Sequence, residues 1–156
     1  HHNHFCVGAA CYPEGHPEAS SKEKDLENLK RKVDAGVDFL ITQLFFDNSD
    51  FYAFRERAQC AGISVPMIAG IMPILNVGQI KRFTTMCGAK IPAELLRRVE
   101  AVEDDAEAVR QIGTYHAVEQ ARELLRQGVA GIHFYTLNKS TATRAIFQLI
   151  REGVRV

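Results

Sequence analysis

Four runs of apolar residues alternate along the chain with segments in which apolar positions recur every three or four residues. Near-continuous apolar runs are typical of parallel strands buried on both faces, and the three-to-four spacing predicts amphipathic helices. Strand–helix alternation repeated four times predicts an α/β fold with a parallel sheet. The predicted strands are residues 5–10, 39–46, 65–74 and 131–137; the predicted helices are residues 20–35, 49–61, 76–87, a short helix opened by Pro92, a long helix from Asp104 or Asp105 to Gly128, and residues 140–150.

Residues at the ends of the helical segments support these bounds. Ser20 and Glu23 have the spacing of a capping box, Asn76 is a favoured N-cap residue, and Pro92 suits the first position of a helix. A glycine follows four of the helical patterns, where it provides the left-handed conformation that ends a helix. These glycines are Gly36, Gly62, Gly88 and Gly128.

Two architectures are compatible with this pattern: a small open doubly wound sheet, or part of a (β/α)₈ barrel. A complete barrel needs about 200 residues or more, and this chain has 156. The glycine-rich GxGxxG turn of a dinucleotide-binding unit does not follow the first predicted strand, which disfavours that fold.

The composition narrows the class of protein. Hydrophobic residues make up 46% of the chain, and 19 Lys and Arg residues balance 19 Asp and Glu residues. A formal net charge of zero gives no indication of nucleic-acid binding, and no apolar run is long enough to span a membrane. The expectation is therefore a soluble, cytoplasmic protein that binds neither nucleic acid nor membranes.

The cysteines and the N-terminal histidines do not predict a metal site. Cys6, Cys11, Cys60 and Cys87 form no CxxC pair, so we expect buried free thiols in a reducing compartment. The histidines of residues 1–4 suggest a purification-tag remnant or a frayed terminus and are set aside.

In a barrel, chemistry takes place at the carboxyl ends of the strands, and Gln43 is the most informative residue there. It is an amide within an apolar run, and a buried amide left without partners costs about 1–3 kcal/mol. Its donor and acceptor suit the lactam edge of a pterin or the carboxamide of nicotinamide. A structural amide that bonds a neighbouring strand is an equally good interpretation.

The first predicted helix carries a polar stripe beside its apolar face. Asp25, Asn28 and Lys32 follow helical spacing, with Arg31 nearby. A cation beside an amide and a carboxylate could hold a pyrophosphate and a ribose. The alternative is a solvated face, which is the commoner case.

Other polar and aromatic positions favour structural roles on spacing alone. Phe83 is predicted to lie in the core, Gln79 on the surface, and His116 in a helix whose small residues allow close packing. Glu14, His16 and Glu18 could be acid–base groups, but their proline-rich loop favours a positional or surface role for the two glutamates.

Several segments together resemble one family. They are ACYPEGHPEA (10–19), NLKRKVDAGVDFLITQLFFD (28–47), GIMP (70–73) and HFYTLN (133–138). In this order they resemble methylenetetrahydrofolate reductases, with the similarity in register over nearly the whole chain. The resemblance implies a (β/α)₈ barrel with FAD at the carboxyl face. It also implies reduction of 5,10-methylenetetrahydrofolate to 5-methyltetrahydrofolate with NADH or NADPH, in one-carbon metabolism and methionine supply.

The resemblance also implies roles for individual residues. Positions that match the family's FAD-lining residues are Tyr12, His16, Asp25, Asn28, Arg31 and Lys32. Positions that match the substrate pocket are Gln43, which would bond the pterin or nicotinamide, and Gln79, Phe83, Tyr135 and Leu137.

The chain departs from the family in one large respect. The family's barrel begins with four further βα units, which carry the general acid and a carboxylate that tunes the flavin, so no catalytic residue is assigned here. We expect residues 5–156 to form the C-terminal half of the barrel. This half would be inactive alone and would be a homo-oligomer or pair with a missing N-terminal half. The alternative is a non-catalytic half-barrel that binds flavin or nucleotide weakly or not at all. A barrel lyase that uses Lys32 as an amine is disfavoured, because Lys32 lies on a helix.

Overall fold

A computed structural model describes residues 5–153 as four strands and six helices. The predicted tag remnant, residues 1–4, lies outside the described residues. In chain order the elements are β1 (Gly8–Cys11), α1 (Lys22–Asp34), β2 (Phe39–Thr42), α2 (Asn48–Cys60), β3 (Met67–Ile71), α3 (Val77–Cys87), α4 (Ala93–Glu100), α5 (Ala106–Arg126), β4 (Gly131–Phe134) and α6 (Ser140–Gly153).

The four strands form one parallel sheet in the order β1-β2-β3-β4. The α/β class and the parallel pairing were predicted from the sequence, and both are confirmed. Neighbours in the sheet are neighbours in the chain, as in a barrel, whereas a doubly wound sheet reverses its strand order. The structure is therefore consistent with a partial barrel-like unit.

Helices α1, α2, α5 and α6 pack against one face of the sheet. This face carries Cys11, Leu40, Ala69 and Ile71, which join Leu124 and other helix residues in the main core cluster. The opposite face, which we call the open face, is exposed or half-buried except at Gly70. Its residues are Gly8, Ala10, Phe39, Ile41, Ile68, Gly70, Gly131 and His133.

The strands are shorter than the apolar runs that predicted them. The runs continue beyond β2 and β3 because a second core cluster lies at their carboxyl ends. There Leu44, Phe46, Met72 and Ile74 pack against residues of α3, α4 and α5. Apolar loop residues buried in this way have the same pattern as strand residues. At the other end of the sheet, Phe5 and Val7 are exposed and precede β1.

The helix caps agree with the prediction to within one residue. Ser21, and not Ser20, caps α1 by accepting a hydrogen bond from the Lys24 amide. Asn76 caps α3 as predicted, and Asp105 is the N-cap of α5. Pro92 occupies the N-cap position of α4 and not its first helical position.

The cysteines are all free thiols, as predicted, but their predicted burial holds only for Cys11. Burial raises the pKa of Cys11 to about 12, so this thiol is protonated at neutral pH. Cys6 and Cys60 are exposed and Cys87 is partly buried, because they lie before β1 and at the last positions of α2 and α3.

His116 has the structural role that was predicted for it. Its Nε2 lies 3.0 Å from the Phe46 carbonyl oxygen, and its ring packs beside that of Phe46. Burial lowers the pKa of His116 below its ordinary value of 6.5, although the hydrogen bond to Phe46 opposes this effect. The folded protein therefore holds this imidazole in its neutral form more strongly than the unfolded chain does.

We expect acidification to destabilise the protein through His116. A lowered folded-state pKa gives stability that is present above pH 6.5 and is lost as the pH falls through the folded-state value. One proton contributes a slope of at most about 1.4 kcal/mol per pH unit. Urea unfolding of the wild type and His116→Gln between pH 7.5 and 5 measures this slope. Identical slopes in the two proteins would contradict the expectation.

Candidate active site at the carboxyl edge of the sheet

The carboxyl ends of the four parallel strands meet at one edge of the sheet. The strands end at Cys11, Thr42, Ile71 and Phe134. The loops that follow carry Tyr12, Gln43, Tyr135 and Leu137, four of the residues assigned to the site by resemblance. The fold thus brings these four positions to a single edge.

The backbone pairing of β2 with β3 stops short of this edge. Paired residues are found as far as Ile41 and Ile68, and beyond them the Thr42 hydroxyl accepts a hydrogen bond of 2.8 Å from the Gly70 amide. The Tyr135 hydroxyl donates to the Thr42 carbonyl oxygen at 2.9 Å. A Cβ atom on Gly70 would lie 2.2 Å from that oxygen and 2.8 Å from the Tyr135 ring. Thr42, Gly70 and Tyr135 therefore fix the shape of the notch beside Gln43.

Gln43 is half-buried at this notch. Its amide N–H donates to the Cys11 carbonyl oxygen at 2.7 Å, and its side-chain Oε1 accepts from the Leu44 amide at 2.9 Å. The side chain is thus held by its own loop and not by a neighbouring strand. Its role toward a pterin or nicotinamide stays a prediction.

The loop between β1 and α1 is well ordered by internal contacts. Tyr12 and His16 meet edge to face with ring centroids 4.4 Å apart, and the Gly15 amide donates to the Tyr12 carbonyl oxygen at 3.1 Å. The His16 amide donates to Asp25 Oδ2 at 3.1 Å, which ties the loop to α1. Burial raises the pKa of Tyr12, so its hydroxyl is protonated at neutral pH. Three predicted FAD-lining residues therefore form one connected group.

One flank of α1 faces β1, the strand at the edge of the sheet. Lys32 Nζ reaches the Ala10 carbonyl oxygen at 3.4 Å, and helical spacing places the exposed Asn28 on the same flank as Asp25 and Lys32. Arg31 instead lines a surface groove with Glu23, Leu26, Glu27, Lys30 and Ala61, on the side of α2. The structure does not bring Arg31 to the flank of Lys32, and its part in flavin binding stays a prediction.

Three of the five predicted substrate residues lie together at a second part of the edge. Gln79, Tyr135 and Leu137 line a cleft of about 50 Å³ together with Met72 and Pro73. Burial raises the pKa of Tyr135. Phe83 is partly buried against the second core cluster and lies one helical turn beyond Gln79 on α3. The substrate role of these four residues stays a prediction.

The chain turns sharply after β4 to place Leu137 at this cleft. Leu137 and Asn138 have φ values of 48° and 60°, in the left-handed region that residues other than glycine rarely adopt. Strained backbone of this kind clusters at binding sites. The turn sets Leu137 beside Tyr135 and leaves its side chain exposed.

Two residues of this edge were not identified from the sequence as parts of the site. Thr42 was not assigned to the site from the sequence, and Glu14 was given a positional or surface role. The Glu14 side chain is only 5% exposed, so a surface role is wrong. Its partner is 76 residues away in sequence, a contact that local spacing cannot reveal.

Residues 5–153 contain neither a metal-binding cluster nor a membrane-spanning helix. No group of three His, Cys, Asp or Glu side chains is arranged to hold a metal ion there. None of the helices in this range combines the length and the apolarity needed to cross a membrane.

Comparison with known proteins gives a consistent result. The family model described as methylenetetrahydrofolate reductase matches residues 1–151. The 5,10-methylenetetrahydrofolate reductase of Escherichia coli K12 is 44% identical over 151 residues, which cover 97% of this chain and 50% of the relative. The probable methylenetetrahydrofolate reductase (NADPH) of Caenorhabditis elegans is 42% identical over 159 residues, covering 99% of this chain and 24% of the relative. The chain thus spans about half the length of the bacterial relatives it matches.

A solved structure shows the same fold. It is an uncharacterized protein from Clostridium thermocellum that binds two copies of 5-methyl-5,6,7,8-tetrahydrofolic acid. The match has a TM-score of 0.63 and 18% sequence identity, and it covers 95% of this chain and 53% of that one. At this identity the similarity concerns the fold alone.

Proposed function

Since the chain belongs to the methylenetetrahydrofolate reductase family, we propose that it is part of an enzyme that reduces 5,10-methylenetetrahydrofolate to 5-methyltetrahydrofolate. The observation that carries this proposal is the arrangement at the carboxyl edge of the sheet. A cationic and aromatic group at β1 and α1 lies at the same edge as a cleft lined by Gln79, Tyr135 and Leu137.

The barrel that this function requires would be built from two halves. We assign residues 5–156 to the last four βα units of a (β/α)₈ barrel, with the open face turned toward its interior. The sequential strand order and the helices on one face support this assignment. Further strands would pair with β1 and β4, the two edge strands, either from a preceding half or from a second copy of the chain.

The residues at β1 and α1 fit FAD in their chemistry. Lys32 is exposed, and its Nζ makes a long hydrogen bond of 3.4 Å to the Ala10 carbonyl oxygen. Its ammonium group is therefore available to bind a pyrophosphate. Asp25 and Asn28 offer hydrogen bonds to a ribose, and the Tyr12–His16 pair offers an aromatic surface. When bound, FAD supplies hydride transfer from NADH or NADPH to the folate.

The five predicted substrate residues would orient the folate. The Gln43 amide can both donate to and accept from the lactam edge of the pterin. Phe83 and Tyr135 offer aromatic surfaces, and Gln79 and Leu137 close the cleft from α3 and from the turn after β4. Thr42 and Gly70 hold Tyr135 in place through the contacts of the notch. We assign no general acid to this chain, whose residues bind, orient and exclude water.

A titration of the protein with FAD tests the cofactor site. Lys32→Ala should weaken FAD binding about tenfold, because it removes a charge-assisted hydrogen bond to phosphate. Glu23→Ala should have little effect, since Glu23 is exposed in the first turn of α1. Flavin fluorescence gives the dissociation constants.

Lys30→Ala is the matched control for charge. Lys30 also lies on α1, but it pairs with Asp34 and faces the groove beside Ala61. If Lys30→Ala and Lys32→Ala weaken FAD binding equally, the affinity for FAD depends only on net charge, and the flank of Lys32 is a solvated surface. The flavin site proposed here would then be wrong.

A further inference from the structure

Glu14 is a buried carboxylate that the proposed function does not use. Its side chain is 5% exposed, whereas the side chain of Lys90, its partner, is 72% exposed. Glu18, in the same loop, is exposed. Burying a charged group is costly unless hydrogen bonds compensate for the lost water, so the contacts that hold Glu14 require an explanation.

Those contacts join the β1–α1 loop to the end of α3. Both carboxylate oxygens of Glu14 accept hydrogen bonds from the Lys90 amide, at 3.0 and 3.2 Å. Lys90 Nζ lies 3.5 Å from Glu14 Oε1 and 3.9 Å from Asp50 Oδ1. Burial raises the pKa of Glu14, while the hydrogen bond from Lys90 opposes that effect. Lys90 follows Gly88, the left-handed residue that ends α3.

A second contact brings the same two segments together. A Cβ atom on Gly88 would lie 3.2 Å from Pro17 Cγ and 3.7 Å from the Gly15 carbonyl oxygen. The end of α3 therefore rests directly on the loop that carries Tyr12 and His16. That loop is also tied down elsewhere, by the His16 amide on Asp25 and by Arg57 on the Pro13 carbonyl oxygen.

We propose that Glu14 is a positioning residue that fixes the end of α3 against the β1–α1 loop, and so sets the distance between the folate side and the flavin side of the site. This inference rests on the proposed function. Glu14 itself touches neither Gln79 nor Phe83, which lie along α3. Because the loop keeps two other anchors and α3 stays packed in the second core cluster, we expect loss of the carboxylate to shift the end of α3 and to leave Tyr12 and His16 in place.

The test compares Glu14→Ala, Glu14→Gln and the control Glu18→Gln in the full chain loaded with FAD. We expect the dissociation constant for 5-methyltetrahydrofolate to rise about tenfold in Glu14→Ala, as for the loss of one charge-assisted hydrogen bond. Glu14→Gln keeps one acceptor and should show a smaller rise, and Glu18→Gln should show none. The FAD dissociation constant should change less than twofold in all three. A general loss of structure would instead weaken the binding of both ligands.

Outcomes separate the inference from the function on which it rests. If the wild type binds both ligands and Glu14→Ala binds them as Glu18→Gln does, the positioning role is overturned. If Glu14→Ala loses FAD and folate equally, Glu14 is only a stability residue, and the inference is also overturned. If the wild type binds neither ligand, the FAD and folate binding roles proposed for this chain fail. In that case the amide NMR signals of Gln79 and Phe83 test the positioning role of Glu14. The inference requires these signals to shift in Glu14→Ala and not in Glu18→Gln.

Discussion

Replacing Gly113 with alanine should destabilise the protein by about 3 kcal/mol, at the upper end of the usual cost of overpacking a core. A Cβ atom at this position would lie 1.9 Å from the Ile74 carbonyl oxygen and 2.7 Å from the Ile74 carbonyl carbon. These are backbone atoms between β3 and α3, so no side-chain rotation relieves the overlap. The long helix α5 must move outward, and the second core cluster must open with it.

Gly78→Ala is the matched control. Gly78 also lies in a helix, and the nearest atom to a Cβ there would be Asn76 Oδ1 at an ordinary 3.5 Å. Alanine is favoured over glycine within helices by up to about 1 kcal/mol, so this variant should be neutral or more stable. Urea unfolding followed by circular dichroism measures both. If the two variants are equally stable, the close approach of α5 to Ile74 is not required for the stability of the fold.

The second large effect concerns association of the chain. We expect it to sediment as a species larger than a monomer at micromolar concentration, because the open face is largely apolar and, within residues 5–153, the two edge strands have no partner on one side. A symmetric dimer that completes eight strands would cover both features, and so would a separate N-terminal half. Ile41 and Ile68 both lie on the open face. Ile41→Lys or Ile68→Lys should raise the dissociation constant of the assembly at least about tenfold.

Phe147→Lys provides the comparison. Phe147 is 53% exposed on α6, in the helix layer, away from the open face. If the same lysine substitution there dissociates the assembly equally well, association takes place through the helices. A wild-type chain that stays monomeric at every concentration and unfolds cooperatively would indicate a self-contained open sheet.

The class of fold was predictable from the sequence because it depends on local patterns. Apolar runs mark the strands, and Asn76 and Gly88 mark the two ends of α3. The ends of β2 and β3 were not predictable. Leu44 and Met72 continue the apolar runs into a second core cluster, and no local signal separates a buried loop from a buried strand.

The candidate site was predictable only in part. The resemblance identified Tyr12, Gln43 and Tyr135, and the fold places them at one edge. It could not reveal the burial of Glu14, since the Lys90 amide that compensates its charge comes from a distant segment. Nor could spacing reveal the notch at Thr42, where a side-chain hydroxyl continues the pairing of the strands. Both features depend on tertiary contacts.

The order of the strands also bears on how the chain reaches its folded state. The paired residues of β1 and β2, and those of β2 and β3, are roughly 30 positions apart, whereas Ile68 and its partner Gly131 are about twice as far apart. Each doubling of a loop costs about 0.6 kcal/mol more conformational entropy on closure. Since α3, α4 and α5 lie between β3 and β4, docking of β4 is the most costly closure in the sheet. We therefore expect the turn that carries Tyr135 and Leu137 to form last, after the three earlier strands provide a surface to receive it.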